Sequence, residues 1–269
     1  MDIRGVNKVR DHNKRVLMGR VNRYRYCEIE KMCRRFSARQ RSIRNVRDQW
    51  AISHPGEKRP KKPRRTRYHR DWDAYITKEL TGLYINEFNG FGFAARSLVL
   101  EYDGKLKESV LISAFKYNGF INEEWENSKF RRWMKWITFL FIIYKRDSHG
   151  DIRLIGSQCW EMPPEDIEQY VKPVWEKTKE VIESGNLWYV DRRGKRHYNF
   201  TSKKENPVCH IRDCAWDNKD TNELPDGSKC QTRGFGLDNN YIMKQLNREF
   251  IEDELVIESG KLHIKKRIT

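Results

Sequence analysis

The chain has 269 residues, 54 Lys/Arg against 38 Asp/Glu and a formal net charge of +16. That length holds one or two domains with a sizeable core, and the longest apolar stretch, Ile137–Tyr144, is too short to cross a bilayer. The charge is unevenly placed: residues 1–70 carry 23 Lys/Arg and 6 Asp/Glu, a net +17, which leaves the other 199 residues at about −1. A basic block beside a near-neutral fold favours a polyanion, most often nucleic acid, because phosphate contacts release counterions; the plain alternative is a solvated basic tail.

The N-terminus is charged and lacks the apolar run of a signal peptide, so a cytoplasmic protein with reduced thiols and no membrane association is expected. None of the six cysteines forms a CxxC pair, and a zinc site of Cys209, His210, Cys214 and Cys230 can only be drawn on paper.

Residues 1–50 predict two or three basic helices, with Val16, Val21, Ile29, Met32, Cys33 and Phe36 at loose helical spacing. Their Arg-rich faces suit a phosphate backbone, while their aromatics equally suit anchoring to the main fold. Residues 53–70 are rich in proline and cations and predict a linker that also touches phosphate, through Lys61, Lys62, Arg64, Arg65 and Arg67. The globular part is expected over 71–258, with a polar tail over 259–269.

Within it, Asp71–Asn89 predicts a short helix or strand, and Gly90-Phe91-Gly92 a turn. In residues 97–109, the apolar Leu98, Val99 and Leu100, then Asp103-Gly104, then Leu106 to Ile112 predict a β-hairpin. Residues 119–135 read as a helix, and Ile137–Tyr144 as a buried strand whose hairpin partner is Ile152–Ile155. A further helix is expected from Met162-Pro163-Pro164 to about Ser184, kinked or split at Pro173 and ended by Gly185. Short strands over 186–237 and a helix near Asn239–Phe250 complete an α/β fold with a mixed sheet and flanking helices.

From about Leu98 to Phe250 the sequence resembles the C-terminal domain of Sau-three-A type restriction endonucleases, a family that shares its fold with the nicking endonuclease MutH. The resemblance rests on KESVLISAFKY (107–117), NEEWENS (122–128), FLFIIYK (139–145), CWEMPPEDI (159–167), VWEKTKEVIESG (174–185), CHIRD (209–213), LPDG (224–227) and RGFGLDNNYIMKQ (233–245). It implies a restriction-endonuclease-like fold, MutH-like in form, that binds double-stranded DNA containing GATC. In the long enzymes of this type the C-terminal domain has lost its catalytic acids and binds an effector DNA site.

Nucleases of this fold need an acid on one strand and Glu or Asp, a spacer and Lys on the next, so that carboxylates hold Mg²⁺ and the lysine orients water. Aligned on the family, Val99 stands at the Glu position and Glu101 at the Lys position, while Asn86 to Ser97 offers only Glu87 as the upstream acid. Asp103-Gly104-Lys105 has the right spacing, but Asp-Gly between apolar runs is turn chemistry. For DNA reading, the resemblance points to Arg212, His210 and Arg233. Asp213 and Cys214 replace the family's Pro and Lys or His, and Gly236 replaces the aromatic that senses adenine methylation.

The expectation is therefore a catalytically degenerate duplex-DNA-binding subunit or domain that supports a separate catalytic partner of the same family and needs no cofactor of its own. The alternatives are an active Mg²⁺-dependent endonuclease with a displaced site at Glu101, Asp103 and Lys105, in which Glu101 and Asp103 hold the metal, and an RNA-binding or structural protein.

Overall fold

A computed structural model describes residues 3–29, 31–32, 72–83, 88, 91–215 and 220–266. The linker cations Lys61, Lys62, Arg64, Arg65 and Arg67, and Glu87, lie outside these described residues. The fold is mixed α/β with an N-terminal helix, as the sequence predicts, and its described residues fall into two interleaved compact units. One lies within Met1–Gly104, Phe139–Cys159 and Glu252–Thr269, and the other within Lys105–Thr138 and Trp160–Ile251.

The first unit is built on a sheet of strands β1 (Phe93–Leu100), β3 (Thr138–Arg146) and β4 (Ile152–Trp160), in the order β1-β3-β4. Its central position explains β3: eight of its nine residues are buried, so the run is apolar without alternation. Helix α1 (Ile3–Asn22) lays Leu17 and Val21, one turn apart, into a core shared with Ile76 and Leu80 of helix α2 (Trp72–Thr81), with Ala95 of β1 and with Leu140, Ile142 and Tyr144 of β3. The chain after α1 then docks along β4: Tyr26 N donates to Leu154 O at 2.5 Å and Leu154 N to Cys27 O at 3.0 Å. Arg153 locks this segment, reaching Glu28 at 2.8 Å and the buried Asp147 at 2.7 Å, while Asp147 also accepts the amides of His149 and Asp151 and so closes the β3–β4 turn. Of the two readings of the N-terminal aromatics and aliphatics, residues up to 32 show the anchoring one.

Strands β11 (Asp253–Glu258) and β12 (Lys261–Lys266) form an antiparallel ribbon in the same unit. Part of the expected polar tail is thus strand, and Lys145, fully buried on β3, donates to Asp253 O at 2.6 Å.

In the second unit, β10 (Arg233–Leu237) is flanked antiparallel by β2 (Val110–Phe115) and β7 (Cys209–Asp213). Phe235 of β10 stacks on Phe130 at 4.4 Å and lies 5.4 Å from Phe115, at the centre of an aromatic cluster that continues through Phe120 to Trp175 and Trp125. Short ribbons β5 (Trp188–Val190) with β6 (Arg196–Tyr198) and β8 (Thr221–Glu223) with β9 (Lys229–Gln231) complete its strands.

Three local expectations change. The Asp103-Gly104 turn forms, with Gly104 at φ 78° and its amide on Glu101 O at 2.9 Å, but β1 and β2 do not pair, because the turn carries the chain from one sheet to another. The helix expected over 119–135 is broken into α3 (Tyr117–Phe120), a 3₁₀ turn (Trp125–Asn127) and α4 (Lys129–Trp136), the last capped by the Ser128 side chain on Arg131 N. The closing helix is two pieces, α6 (Asn239–Gln245) and α7 (Arg248–Glu252).

Pro173 acts as expected. An α-turn (Pro164–Asp166) leads into a π-helical turn (Ile167–Val171), in which Lys172 N reaches back to Ile167 O, and then into α5 (Lys172–Glu183). A proline near the start of α5 has no amide to bond backwards, and the wider π turn absorbs that loss. Gly185, at φ 71°, follows the end of α5.

Candidate nucleic-acid interface

The residues that the resemblance singles out for DNA reading gather on β7 and β10. Strand alternation puts His210 and Arg212 on one face of β7, and their register partners on β10 are Gly236 and Gly234. The absence of side chains there is what leaves room for them: a Cβ on Gly236 would lie 2.8 Å from Arg212 Cδ and 3.5 Å from His210 Nε2. Arg212 therefore lies across Gly236 of β10, its guanidinium donating to the carbonyl of Ser109. An aromatic side chain at 236 is incompatible with this path of Arg212.

His210 is buried, and its Nδ1 has no hydrogen-bond partner. Burial lowers the imidazole pKa below 6.5, opposed by the nearby Asp238 carboxylate and reinforced by Lys203 and Arg212. At neutral pH the ring is uncharged, and its unpaired Nδ1 is itself buried. Asp238, which sequence reasoning passed over, caps α6 by accepting from Asn240 N at 2.7 Å and pairs with Lys203 at 3.0 Å. Its signal was local: Asp followed by Asn-Asn at a helix start is an N-cap pattern.

Arg233 sits differently from a surface phosphate ligand. It is 6% exposed, pairs with Asp213 at 2.6 Å and stacks 3.5 Å above the Tyr198 ring. Asp213 thus neutralises Arg233 across the β7–β10 register rather than its neighbour Arg212. Nothing in composition or spacing links Tyr198 to Arg233; the pairing arises only when β6 folds against this sheet. Cys209, on the opposite face of β7, is fully buried with its thiol pKa raised by that burial, so it is an inert core residue.

The expected metal strand is β1 and the turn after it. Val99 packs against the core of the first unit and offers no oxygen. Glu101 is ion-paired with Arg146 at 3.4 Å, and Asp103 belongs to the turn closed by Gly104. Lys105 falls in the second unit, beyond the turn. Among the described residues no three or more His, Cys, Asp or Glu side chains converge as a metal site. Mg²⁺ takes carboxylate oxygens in a near-octahedral array, and in this set Val99 supplies none and Glu101 is held by Arg146. Among the described residues no helix is long and apolar enough to cross a membrane.

The family model for the DNA mismatch repair enzyme MutH matches residues 88–172, which begin just before β1 and run to the start of α5. The type II restriction enzyme Sau3AI of Staphylococcus aureus is 26% identical over 193 residues, covering 60% of this chain and 40% of that enzyme. The DNA mismatch repair protein MutH of Vibrio campbellii is 23% identical over 165 residues, covering 61% of this chain and 70% of that protein. The chain thus spans well under half the length of the restriction enzyme it matches. The C-terminal part of this chain is homologous to MutH and to the type II restriction enzyme Sau3AI, on a mixed α/β fold consistent with theirs.

Proposed function

We propose that this chain binds double-stranded DNA at GATC-type sites as a catalytically degenerate member of the MutH and Sau3AI group, and that it supports a separate catalytic subunit or domain of the same family in DNA restriction. The relatives are named for mismatch repair and for restriction, both of which act on DNA. The observation that carries the degenerate reading is strand β1: a valine packed on the core at the acid position, and a glutamate held by Arg146 where the lysine belongs. Such a strand binds no metal and activates no water, so any hydrolysis falls to the partner.

Binding is assigned to the β7–β10 face. Arg212 provides a bidentate donor fork for phosphate or guanine, with the buried His210 beneath it on the same strand face, and the N-terminal cations a salt-sensitive background. Arg233 holds the platform in place. The test is fluorescence anisotropy of labelled oligonucleotides with the full chain. Duplex DNA is expected to bind more tightly than single-stranded DNA or RNA of equal length, and Arg212→Ala to weaken the duplex by roughly tenfold or more, the range of a lost charge-assisted pair. Equal affinity for all three nucleic acids would overturn the duplex assignment.

A further inference from the structure

Over the β5–β6 ribbon, residues 188–198, the sequence predicts only short strands, and the proposed site does not use it. Its surface is unusual. Trp188, Tyr189 and Val190 are consecutive on one strand and 37%, 52% and 61% exposed, so neither side of β5 is buried. A two-stranded ribbon that buries neither face does not hold its shape by apolar packing. Between Trp188 and Tyr198 the chain carries four Lys/Arg (Arg192, Arg193, Lys195 and Arg196) against one Asp, Asp191.

What holds the ribbon is polar and local at one end and aromatic at the other. At the tip, Asp191 Oδ1 accepts the amides of Arg193 and Lys195, each at 2.9 Å, its Oδ2 meets His197 Nε2 at 2.8 Å, and Gly194 takes φ 76°. Asp191 is therefore spent on the turn and on His197, and no carboxylate pairs with Arg192, Arg193 or Lys195 among the described residues. At the base, Arg196 lies 4.6 Å above Trp188, Trp188 packs edge-on to Tyr198 at 6.2 Å, and Tyr198 lies under Arg233. The buried Arg233, paired with the exposed Asp213, thus anchors the ribbon to the β7–β10 register that carries Arg212 and His210.

We infer that the β5–β6 ribbon is a second DNA-contacting element, which enters a groove of the same duplex with Arg192, Arg193 and Lys195 on phosphates and Trp188 and Tyr189 against the sugar and base edges. This rests on the duplex-binding reading given above. A two-stranded ribbon is one of the two elements that the B-DNA major groove admits, and exposed cations interleaved with aromatics match a polyanion that also offers apolar edges. The turn is pre-ordered by Asp191, so little tip entropy is lost on binding. Arg233 becomes a positioning residue for the ribbon.

The test is the anisotropy titration of full-length protein with a labelled duplex at several salt concentrations. Wild type is compared with Arg192→Ala/Arg193→Ala/Lys195→Ala, which leaves Asp191 and Gly194 in place, and with Arg192→Lys/Arg193→Lys. The Ala variant is expected to bind at least tenfold more weakly at 100–150 mM salt, with a log K against log salt slope shallower by about 2–3, as for three lost phosphate contacts, and the Lys variant to restore the slope. DNA should also protect Arg192 to Arg196 from trypsin. If wild type binds duplex and the Ala variant matches it in affinity and slope, the ribbon inference fails alone. If wild type binds no duplex, the duplex-binding reading fails and takes the ribbon with it. Protection by a single strand but not by duplex would mean stacking on unpaired bases, and would overturn the groove assignment.

Discussion

The two glycines of β10 separate stability from recognition. A Cβ on Gly234 would sit 2.6 Å from the backbone carbonyl of Ser113 and 2.8 Å from Leu111 Cδ1, so Gly234→Ala must push β2 away from β10. A Cβ on Gly236 meets side chains rather than backbone, at 2.8 Å from Arg212 Cδ and 3.5 Å from His210 Nε2. Gly234→Ala is expected to cost roughly 1–3 kcal/mol of stability as overpacking against backbone, while Gly236→Ala costs little but displaces Arg212 and weakens duplex binding. Denaturant melts and anisotropy on the two variants check this; equal stability losses would contradict it. In the sequence Gly234 stands out only as part of a matching word, and Gly236 only as the residue in place of the family's aromatic. Their role depends on the register of β10 with two strands far away in the chain, and no local pattern encodes that register.

At the scale of elements, local chemistry was legible and long-range pairing was not. The β3 run, the β3–β4 turn, the disturbance at Pro173 and the stop at Gly185 all follow from residues acting on their immediate neighbours. The Asp103-Gly104 turn forms for the same reason, yet the hairpin does not, because turn chemistry bends the chain without choosing its partner. β2 pairs with β10 instead, where Gly234 allows the close backbone approach. The break of the 119–135 segment likewise follows from tertiary anchors. Trp125 donates through Nε1 to Glu168 at 2.8 Å, and Arg131 and Lys135 of α4 pair with the same carboxylate at 2.7 Å. Burial pulls the Glu168 pKa up, but the hydrogen bonds from Lys135, Trp125 and Arg131 outweigh it and bring it to about 2 from 4.5. A carboxyl with a depressed folded pKa contributes stability that is complete above 4.5 and is lost as pH falls toward 2. Glu168→Gln should therefore lower stability by about 1 kcal/mol at neutral pH, the modest scale of a part-exposed network, and flatten the pH dependence in that acid window. An unchanged acid limb in pH-dependent melts would show that the network adds nothing.

For the whole molecule, the N-terminal segment changes meaning. Its charge pointed to a phosphate-binding arm, but residues up to 32 also complete the core of the first unit through Leu17, Val21 and Met32 and seal β4 through Glu28 and Arg153. Leu17→Ala is expected to cost about 2–3 kcal/mol of stability, whereas replacing the exposed Arg15 and Arg23 should leave the melting temperature unchanged and reduce only the salt-dependent part of DNA binding. Melting curves of the three variants test this; a Leu17→Ala protein as stable as wild type would mean that the segment is dispensable to the fold.

The account turns on strand β1. The resemblance to the family points to it as the strand that would carry the metal ligands, while the proposed loss of cleavage rests on Val99 and the Glu101–Arg146 pair. The most direct measurement is incubation of the purified chain with GATC-containing supercoiled plasmid and Mg²⁺. We predict that the plasmid stays supercoiled over hours at protein concentrations that saturate duplex binding. Nicking or linearisation that disappears in Asp103→Asn would contradict the account, and would place an active metal site at the turn after β1.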